Sequence, residues 1–387
     1  MRTIGVVTAA RSDYGIYLPL LQTIKKTADL QLRLFVTGMH LSPEFGLTVE
    51  EIEADKFDID ERVEMLLSSD TPEAIAKSIG MGVIGFSQVF ARSQPDILVV
   101  LGDRFEMLAA ALAAMPYTIP IAHIHGGETT EGAMDEFIRH ALTKMSHLHF
   151  VSTEKYRERI LQMGEEPWRV TVCGAPALDN LHRLELLDVE TLEKKIGLSL
   201  EPAPLLVTYH PVTLEYKDTP RHISGLLAAL EAVDRPILFT YPNADTSGRE
   251  IIRAIEEYVA KHKRSKLVVN LGTQAYFSLM KYAAAMVGNS SSGIIEAASF
   301  GLPVVNIGSR QRGRVRGANV IDADYKTGSI MKAIQKATSA DFRSTLKDME
   351  NPYGTGHATQ SIVDVLRTVK LDHGLILKPF QDFTAKA

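Results

Sequence analysis

A single cysteine, Cys173, stands in a chain of 387 residues. That excludes an intrachain disulfide and a cysteine-rich metal site, and it predicts a reducing compartment. Long apolar runs are scarce as well: no stretch reads as the roughly 20 uninterrupted apolar residues of a membrane-spanning helix. The opening apolar run is short and is cut by Arg11 and Asp13, so it does not read as a signal peptide. A cytoplasmic protein without a membrane partner is the expectation. Nor is there an excess of basic residues. With a formal net charge of −5 and a pI near 6.2, the chain lacks the broad positive field that nucleic acid or a lipid surface would favour. Any phosphate site must be local. Two signatures are also missing, the Gly-x-x-x-x-Gly-Lys-Ser/Thr loop and a convincing Gly-x-Gly-x-x-Gly fingerprint, which disfavours nucleoside triphosphate hydrolysis and nicotinamide chemistry.

What remains is ordinary globular composition, 45% hydrophobic and 23% charged, at a length that one core rarely supports. Two domains are expected. The first half alternates β-branched runs with helix-period segments, the pattern of a parallel sheet covered on both faces. Strands are predicted at Thr3 to Thr8, Leu32 to Thr37, Asp96 to Leu101, Ile119 to Ile124 and Leu148 to Ser152, with helices between them, the longest from Pro72 to Arg92. The pattern breaks near Gly174-Ala175-Pro176 and then resumes. Strands are predicted again at Leu205 to Tyr209, Pro236 to Tyr241, Leu267 to Leu271, Ala283 to Gly288 and Pro303 to Ile307, and a last helix from Gln360 to Val369. The fold class is therefore α/β, two Rossmann-like doubly wound domains. Their expected bounds are 1–175 and 176–369, with a tail, 370–387, returning to the first domain.

In such sheets ligands gather at the carboxyl ends of the strands, and here those ends carry unusual polar residues. The stretch from Gly288 to Pro303 reads as a strand end, a small-residue turn of Asn289, Ser290, Ser291 and Ser292, and a helix starting near Gly293. Uncapped N–H groups there suit a phosphate, and Glu296, a turn further on, could accept two ribose hydroxyls. An ordinary capped helix on a parallel sheet is the plainer alternative. Gly102-Asp103-Arg104 offers an acid or base beside an anion ligand, or a simple helix cap. His123 to Glu128 contains Gly126 and Gly127, which free the backbone to turn and leave His125 and Glu128 at a wet strand end. Asp135 and Arg139, one helical turn apart, share a helix face, with a mere surface pair as the plainer alternative; His147 and His149 read as core histidines. In the second half His210-Pro211 ends a strand. Arg310, Arg312, Arg314 and Arg316 alternate as a solvated face would, although one or two could grip an anion in bidentate fashion.

Taken together and in order, these motifs resemble the hydrolysing UDP-N-acetylglucosamine 2-epimerases of sialic-acid biosynthesis. The residues that carry the resemblance are Arg11 to Tyr14, Thr37 to His40, Gly102 to Arg104, His123 to Glu128 with Asp135 to His140, His210 to Thr213, Tyr241 to Asn243, Gly288 to Ser291 with Glu296, and Gly308 to Arg310. The resemblance spans nearly the whole chain. It implies a glycosyltransferase-B type fold with the active site in the interdomain cleft, and a C-terminal helix crossing back to the first domain. It implies no metal and no cofactor, a UDP-sugar ligand, and a homodimer or homotetramer. Elimination of UDP to 2-acetamidoglucal would be followed by addition of water, giving N-acetylmannosamine. By position, Asp103, His125, Glu128 and Asp135 would be catalytic, and Arg11, Arg104, His210, Asn243, Ser290, Ser291, Gly293, Glu296, Arg310 and Arg314 would bind the nucleotide sugar. One departure matters: several members have glutamate where this chain has His125. Enzymes of the legionaminic-acid pathway, acting on a UDP-linked 2,4-diacetamido sugar, look much the same. A glycosyltransferase, a non-hydrolysing epimerase and a silent nucleotide-sugar sensor are the competing readings.

Overall fold

The computed structural model describes residues 1–242 and 247–382. Asn243 therefore lies outside the described residues. Two all-parallel sheets form the frame. The first holds β1 (Arg2–Thr8), β2 (Leu30–Thr37), β3 (Glu61–Val63), β4 (Ile97–Leu101), β5 (Ile121–Ile124), β6 (Leu148–Val151) and β7 (Val170–Val172) in the order β3-β2-β1-β4-β5-β6-β7. The second holds β8 (Leu205–Thr208), β9 (Ile237–Thr240), β10 (Ser265–Val268), β11 (Ala285–Gly288), β12 (Val304–Ile307) and β13 (Val320–Ala323) in the order β10-β9-β8-β11-β12-β13. Central strands such as β4, with all five residues buried, are apolar runs because helices cover both faces. The expected strand at Leu267 to Leu271 sits earlier in the chain, and β3, β7 and β13 had not been expected at all. All three are edge strands of three or four residues carrying residues such as Glu61, Arg62 and Asp322.

Both sheets reverse their winding at one place, between β1 and β4 and between β8 and β11. A doubly wound sheet opens a crevice at such a switch point. Arg11 follows β1, Asp103 follows β4, His210 follows β8 and Ser290 follows β11, so four of the polar motifs flank two facing crevices. Only glycine fits at the last turn: Gly288 has φ +137°, and a Cβ there would stand 1.9 Å from the Thr208 carbonyl oxygen.

Two expectations are corrected. The helix Pro72–Arg92 does have the length and apolar content of a spanning helix, contrary to the reading that no segment approaches one. In the fold its Ile75, Phe86, Val89 and Phe90 belong to the first domain's core, and Gly82 lies so close to Ala109 that a Cβ would come within 2.8 Å of that residue's own Cβ. The second concerns the C-terminal helix, observed at Ala358–Thr368. It does not close the second domain. Its Ile362, Val363 and Leu366, with Leu375 beyond it, join the core of the first, so the return begins at Ala358 rather than at 370. Buried Asp179 accepts from the Ala358 and Thr359 N–H groups at 2.9 and 2.7 Å, and at the other end Arg2 Nη2 donates to Val369 O at 2.7 Å. Those are the orphan groups a docked helix must satisfy. The strap beyond is held by Arg169 on Leu375 O and Leu377 O, both at 2.8 Å. Lys378 pairs with buried Glu165 at 2.7 Å.

Candidate active site

The two domains touch along the cleft through Arg11 Nη2 to Tyr241 O at 3.4 Å, Met134 N to Thr213 Oγ1 at 2.8 Å and Arg314 Nε to Thr129 O at 2.7 Å. On the first-domain wall an ionic network is built around Arg139. That side chain, only 1% exposed, pairs with Asp103, donates to Thr130 Oγ1 at 2.7 Å and His125 O at 3.0 Å, and lies 3.8 Å from Glu128 Oε2. The surface-pair alternative for Arg139 is therefore excluded. Helical spacing tells which residues share a face, not whether strand-end loops bury that face. Asp103 does not cap the following helix, which starts after Arg104 without a side-chain cap.

Glu128 is likewise enclosed. Its Oε1 accepts from His125 Nδ1 at 2.6 Å and Ser152 Oγ at 2.7 Å, and its Oε2 faces Arg314 Nη1 at 3.1 Å. Burial works to raise its pKa, but His125, Arg314 and Arg139 outweigh that and hold it below the usual carboxylate range. Asp103 shows the same balance, burial against Arg139, Arg314 and Arg310, and also ends below its ordinary value. Arg314 is buried, lies beside Glu128, Thr129 and Thr130, and so bridges the second domain to the carboxylates, while its Nη1 has no hydrogen-bond partner among the described residues. Asp135 is buried in the first turn of the helix Asp135–Met145 that carries Arg139.

Opposite, the second domain presents His210, Ser290, Glu296 and Arg310. His210 is fixed through its backbone, N–H to Asn289 Oδ1 at 2.7 Å and C=O from Asn289 Nδ2 at 2.9 Å. Burial, then Arg310, Arg104 and Arg11, drive its pKa well down. Arg310, Arg104 and Arg11, drawn from both domains, thus act electrostatically on the same ring, a local positive field in a chain of net negative charge. Arg104 is steadied by Glu106 at 2.8 Å. Arg310 is buried, with Nη1 on Asn289 O at 3.3 Å and Nε lacking a partner among the described residues.

Ser290 caps the following helix by accepting from Ser292 N at 3.3 Å. That helix, Ser291–Ile295, begins two residues before the expected start near Gly293, is only five residues long and passes into a tighter turn at Ala297–Phe300. Gly293 packs closely on the sheet, where a Cβ would meet Val304 Cγ1 at 2.9 Å. Glu296 is buried, its pKa raised chiefly by that burial, and its Oε2 has no partner among the described residues. Arg312 is exposed whereas Arg310 and Arg314 are buried, which a solvated face would not produce. His40 is structural, bonded to Thr8 Oγ1 at 2.9 Å and Thr48 Oγ1 at 2.7 Å. So are His123, on Gly102 O at 2.7 Å, and His149, on Glu165 at 3.1 Å. Arg139, Ser152 and Thr130 were missed as site residues.

The architecture is that of the glycosyltransferase-B class, two α/β domains with parallel sheets. A crystal structure of the UDP-GlcNAc 2-epimerase from Neisseria meningitidis bound to UDP-GlcNAc shares it with a TM-score of 0.80 at 19% identity, over 95% of this chain and 99% of that one. Sequence comparison carries the class further. Residues 22–367 match the family described as UDP-N-acetylglucosamine 2-epimerase, and the chain belongs to that family of enzymes. A GDP/UDP-N,N'-diacetylbacillosamine 2-epimerase (hydrolyzing) of Campylobacter jejuni subsp. jejuni is 42% identical over 344 residues, 88% of this chain and 89% of that protein. A UDP-N,N'-diacetylbacillosamine 2-epimerase (hydrolyzing) of Legionella pneumophila subsp. pneumophila is 38% identical over 377 residues, 97% of this chain and 98% of that protein.

Proposed function

We propose that the protein is a hydrolysing 2-epimerase of a UDP-linked 2-acetamido sugar. The observation that carries this reading is the pairing of a cationic cluster (Arg11, Arg104 and Arg310 around His210) with a carboxylate and imidazole network across one cleft. A leaving diphosphate needs the first and proton transfer at carbon needs the second. In the elimination, the C2 proton passes to a protein base, the C2–H electrons form the C1=C2 double bond, and the C1–O electrons leave on UDP. Water then supplies hydroxyl at C1 and a proton reaches C2 from the other face, inverting it. Asp103, His125, Glu128 and Asp135 are the proton-handling groups of domain 1–175. Arg11, Arg104, His210, Asn243, Ser290, Ser291, Gly293, Glu296, Arg310 and Arg314 bind UDP and sugar. Neither metal nor cofactor is required by these steps.

The names of the two relatives support a UDP-linked 2,4-diacetamido-trideoxy sugar, diacetylbacillosamine, over UDP-N-acetylglucosamine as the substrate. A cytoplasmic homodimer or homotetramer accompanies the reading. Incubation with each UDP-sugar in heavy water tests it. The expected products are UDP and free 2-epimerised sugar with deuterium at C2. Free sugar that retains protium at C2 would defeat the elimination, deuterated sugar still attached to UDP would indicate a non-hydrolysing epimerase, and no turnover of either sugar would favour a sensor.

A further inference from the structure

The ion pair between Glu128 and Arg314 joins the two walls of the cleft at 3.1 Å, a separation that holds only if both backbones are fixed. Arg314 lies in residues 308–319, outside the strands β12 and β13 that flank them. Two tyrosines fix it there. Val315 N–H, part of the peptide that leaves Arg314, donates to Tyr156 Oη at 2.9 Å, and Val315 O accepts from Tyr353 Oη at 2.9 Å. The two hydroxyls are 2.8 Å apart. A carbonyl can only accept, so the Tyr353 proton is committed to Val315 O, and Tyr156 must donate to Tyr353 while accepting from Val315. Each hydroxyl then donates once and accepts once. The ring demands that both phenols stay protonated, and burial, followed by the Glu128 charge, raises both pKa values.

Three parts of the chain meet at this ring. Tyr156 belongs to the first-domain helix Glu154–Gln162, Val315 to the second domain, and Tyr353 to the stretch that leaves the second domain for the helix Ala358–Thr368. Both tyrosines are fully buried, packed in one apolar cluster with Ile160 of the first domain and Ile294 and Ile295 of the second. A phenol suits such a place, an apolar body with one polar tip. Tyr353 is itself anchored, its carbonyl accepting from Ala175 N–H at 2.9 Å and its own N–H donating to Asn351 Oδ1 at 2.9 Å. Tyr156 also reaches the other side of the ion pair. Its carbonyl lies behind Gly127, where a Cβ would stand 2.5 Å from the oxygen, and that glycine, at φ +71°, makes the turn that delivers Glu128. One residue thus registers both partners, the acid through its backbone and the guanidinium through its hydroxyl.

We propose that Tyr156 and Tyr353 are positioning residues for the reaction, a hydroxyl clamp on Val315 that holds Arg314 of the second domain against Glu128 of the first. The inference rests on the epimerase reading above, in which Glu128 handles protons and Arg314 binds the nucleotide sugar. Neither phenol gains or loses a proton in the reaction. Each acts through Arg314.

The test uses the full-length protein and whichever UDP-sugar the wild type converts, read as the single-turnover rate with enzyme in excess so that slow variants stay measurable. Absence of wild-type turnover would sink the epimerase reading, and this inference with it, before any variant is made. Given turnover, Tyr353→Phe keeps the ring and removes only the hydroxyl, and displacement of Arg314 is expected to lower the rate about 10- to 10²-fold. A loss of folded protein would give the same fall whatever stands at position 314. A positioning role gives a different result: in an Arg314→Gln background, where the guanidinium is already gone, Tyr353→Phe should change the rate by less than about twofold. Tyr156→Phe carries the same expectation in both backgrounds and takes the place of Tyr353→Phe should that variant fail to fold. An unchanged rate on adding either substitution to the wild type, or equal falls in the two backgrounds, would overturn the proposal.

Discussion

Replacing Arg310 with alanine separates a ligand-binding cation from a structural one. In the folded protein this buried guanidinium makes one long bond, Nη1 to Asn289 O at 3.3 Å, and Nε makes none among the described residues. Asn289 O also receives Gln311 Nε2 at 2.8 Å, so its carbonyl stays satisfied without Arg310. The fold therefore loses little by the substitution beyond Arg310's share in holding Asp103 ionised, where Arg139 and Arg314 act more strongly. Arg11 and Arg104 act on the same His210, and removing one of three like charges relieves repulsion between them. Thermal unfolding should shift by less than about 4 °C, the range that roughly 1 kcal/mol produces in domains of this size. Binding should respond strongly. A charge-assisted bond to a diphosphate is worth about 1.5–3 kcal/mol, hence roughly 10- to 10²-fold in the dissociation constant for UDP. Arg310→Lys should recover part of that loss, since it keeps the charge but not the planar fork. Calorimetric titration with UDP in the presence of a chelator measures the affinity, and calorimetric scanning measures the stability. A large fall in melting temperature with unchanged affinity would refute the reasoning, because it would make Arg310 a structural residue.

Arg139→Met should cost about 3–5 kcal/mol in denaturant unfolding by leaving buried Glu128 and part-buried Asp103 without their shared cation. Adding Asp103→Asn should recover part of that loss, and strict additivity in this double-mutant cycle would refute the network. Glu165 gives a pH test. Burial tends to raise its pKa, yet His149, Lys144 and Lys378 together hold it at about 2. A depressed carboxylate contributes stability that is present above its unfolded value, near 4.5, and is lost as pH falls toward 2. The gap in melting temperature between wild type and Glu165→Gln should therefore narrow between pH 5 and pH 2.5, and a constant gap would contradict it.

The central strands were legible because burial on both faces demands long β-branched runs, and the strand-end motifs were legible because polar residues there have no packing reason to exist. Edge strands such as β3 and β7 send no such signal: with one neighbour and a solvated side, three residues suffice and charges are tolerated. Arg139 illustrates a second limit. Its depth is created by the loop carrying Thr130 and by Asp103, residues distant in the chain, and no local period reports that. Gly293 illustrates a third, since a glycine at a helix start reads alike whether its bare Cα approaches a phosphate or a neighbouring valine. The C-terminal helix was assigned to the nearer domain because its apolar face, read alone, names no partner.

That helix has a consequence for how the protein is made. Ile362, Val363 and Leu366 fill a core whose other residues, from Ile4 onward, leave the ribosome long before them. Synthesis runs from one end, so the domain begun first is completed last, after the whole of the second sheet has emerged. Until then its nascent core has an uncovered face where the helix will dock. Cutting the gene at residue 175 would reproduce that unfinished state permanently, so the first domain is obtained on its own only by joining the segment from Ala358 onward back to it.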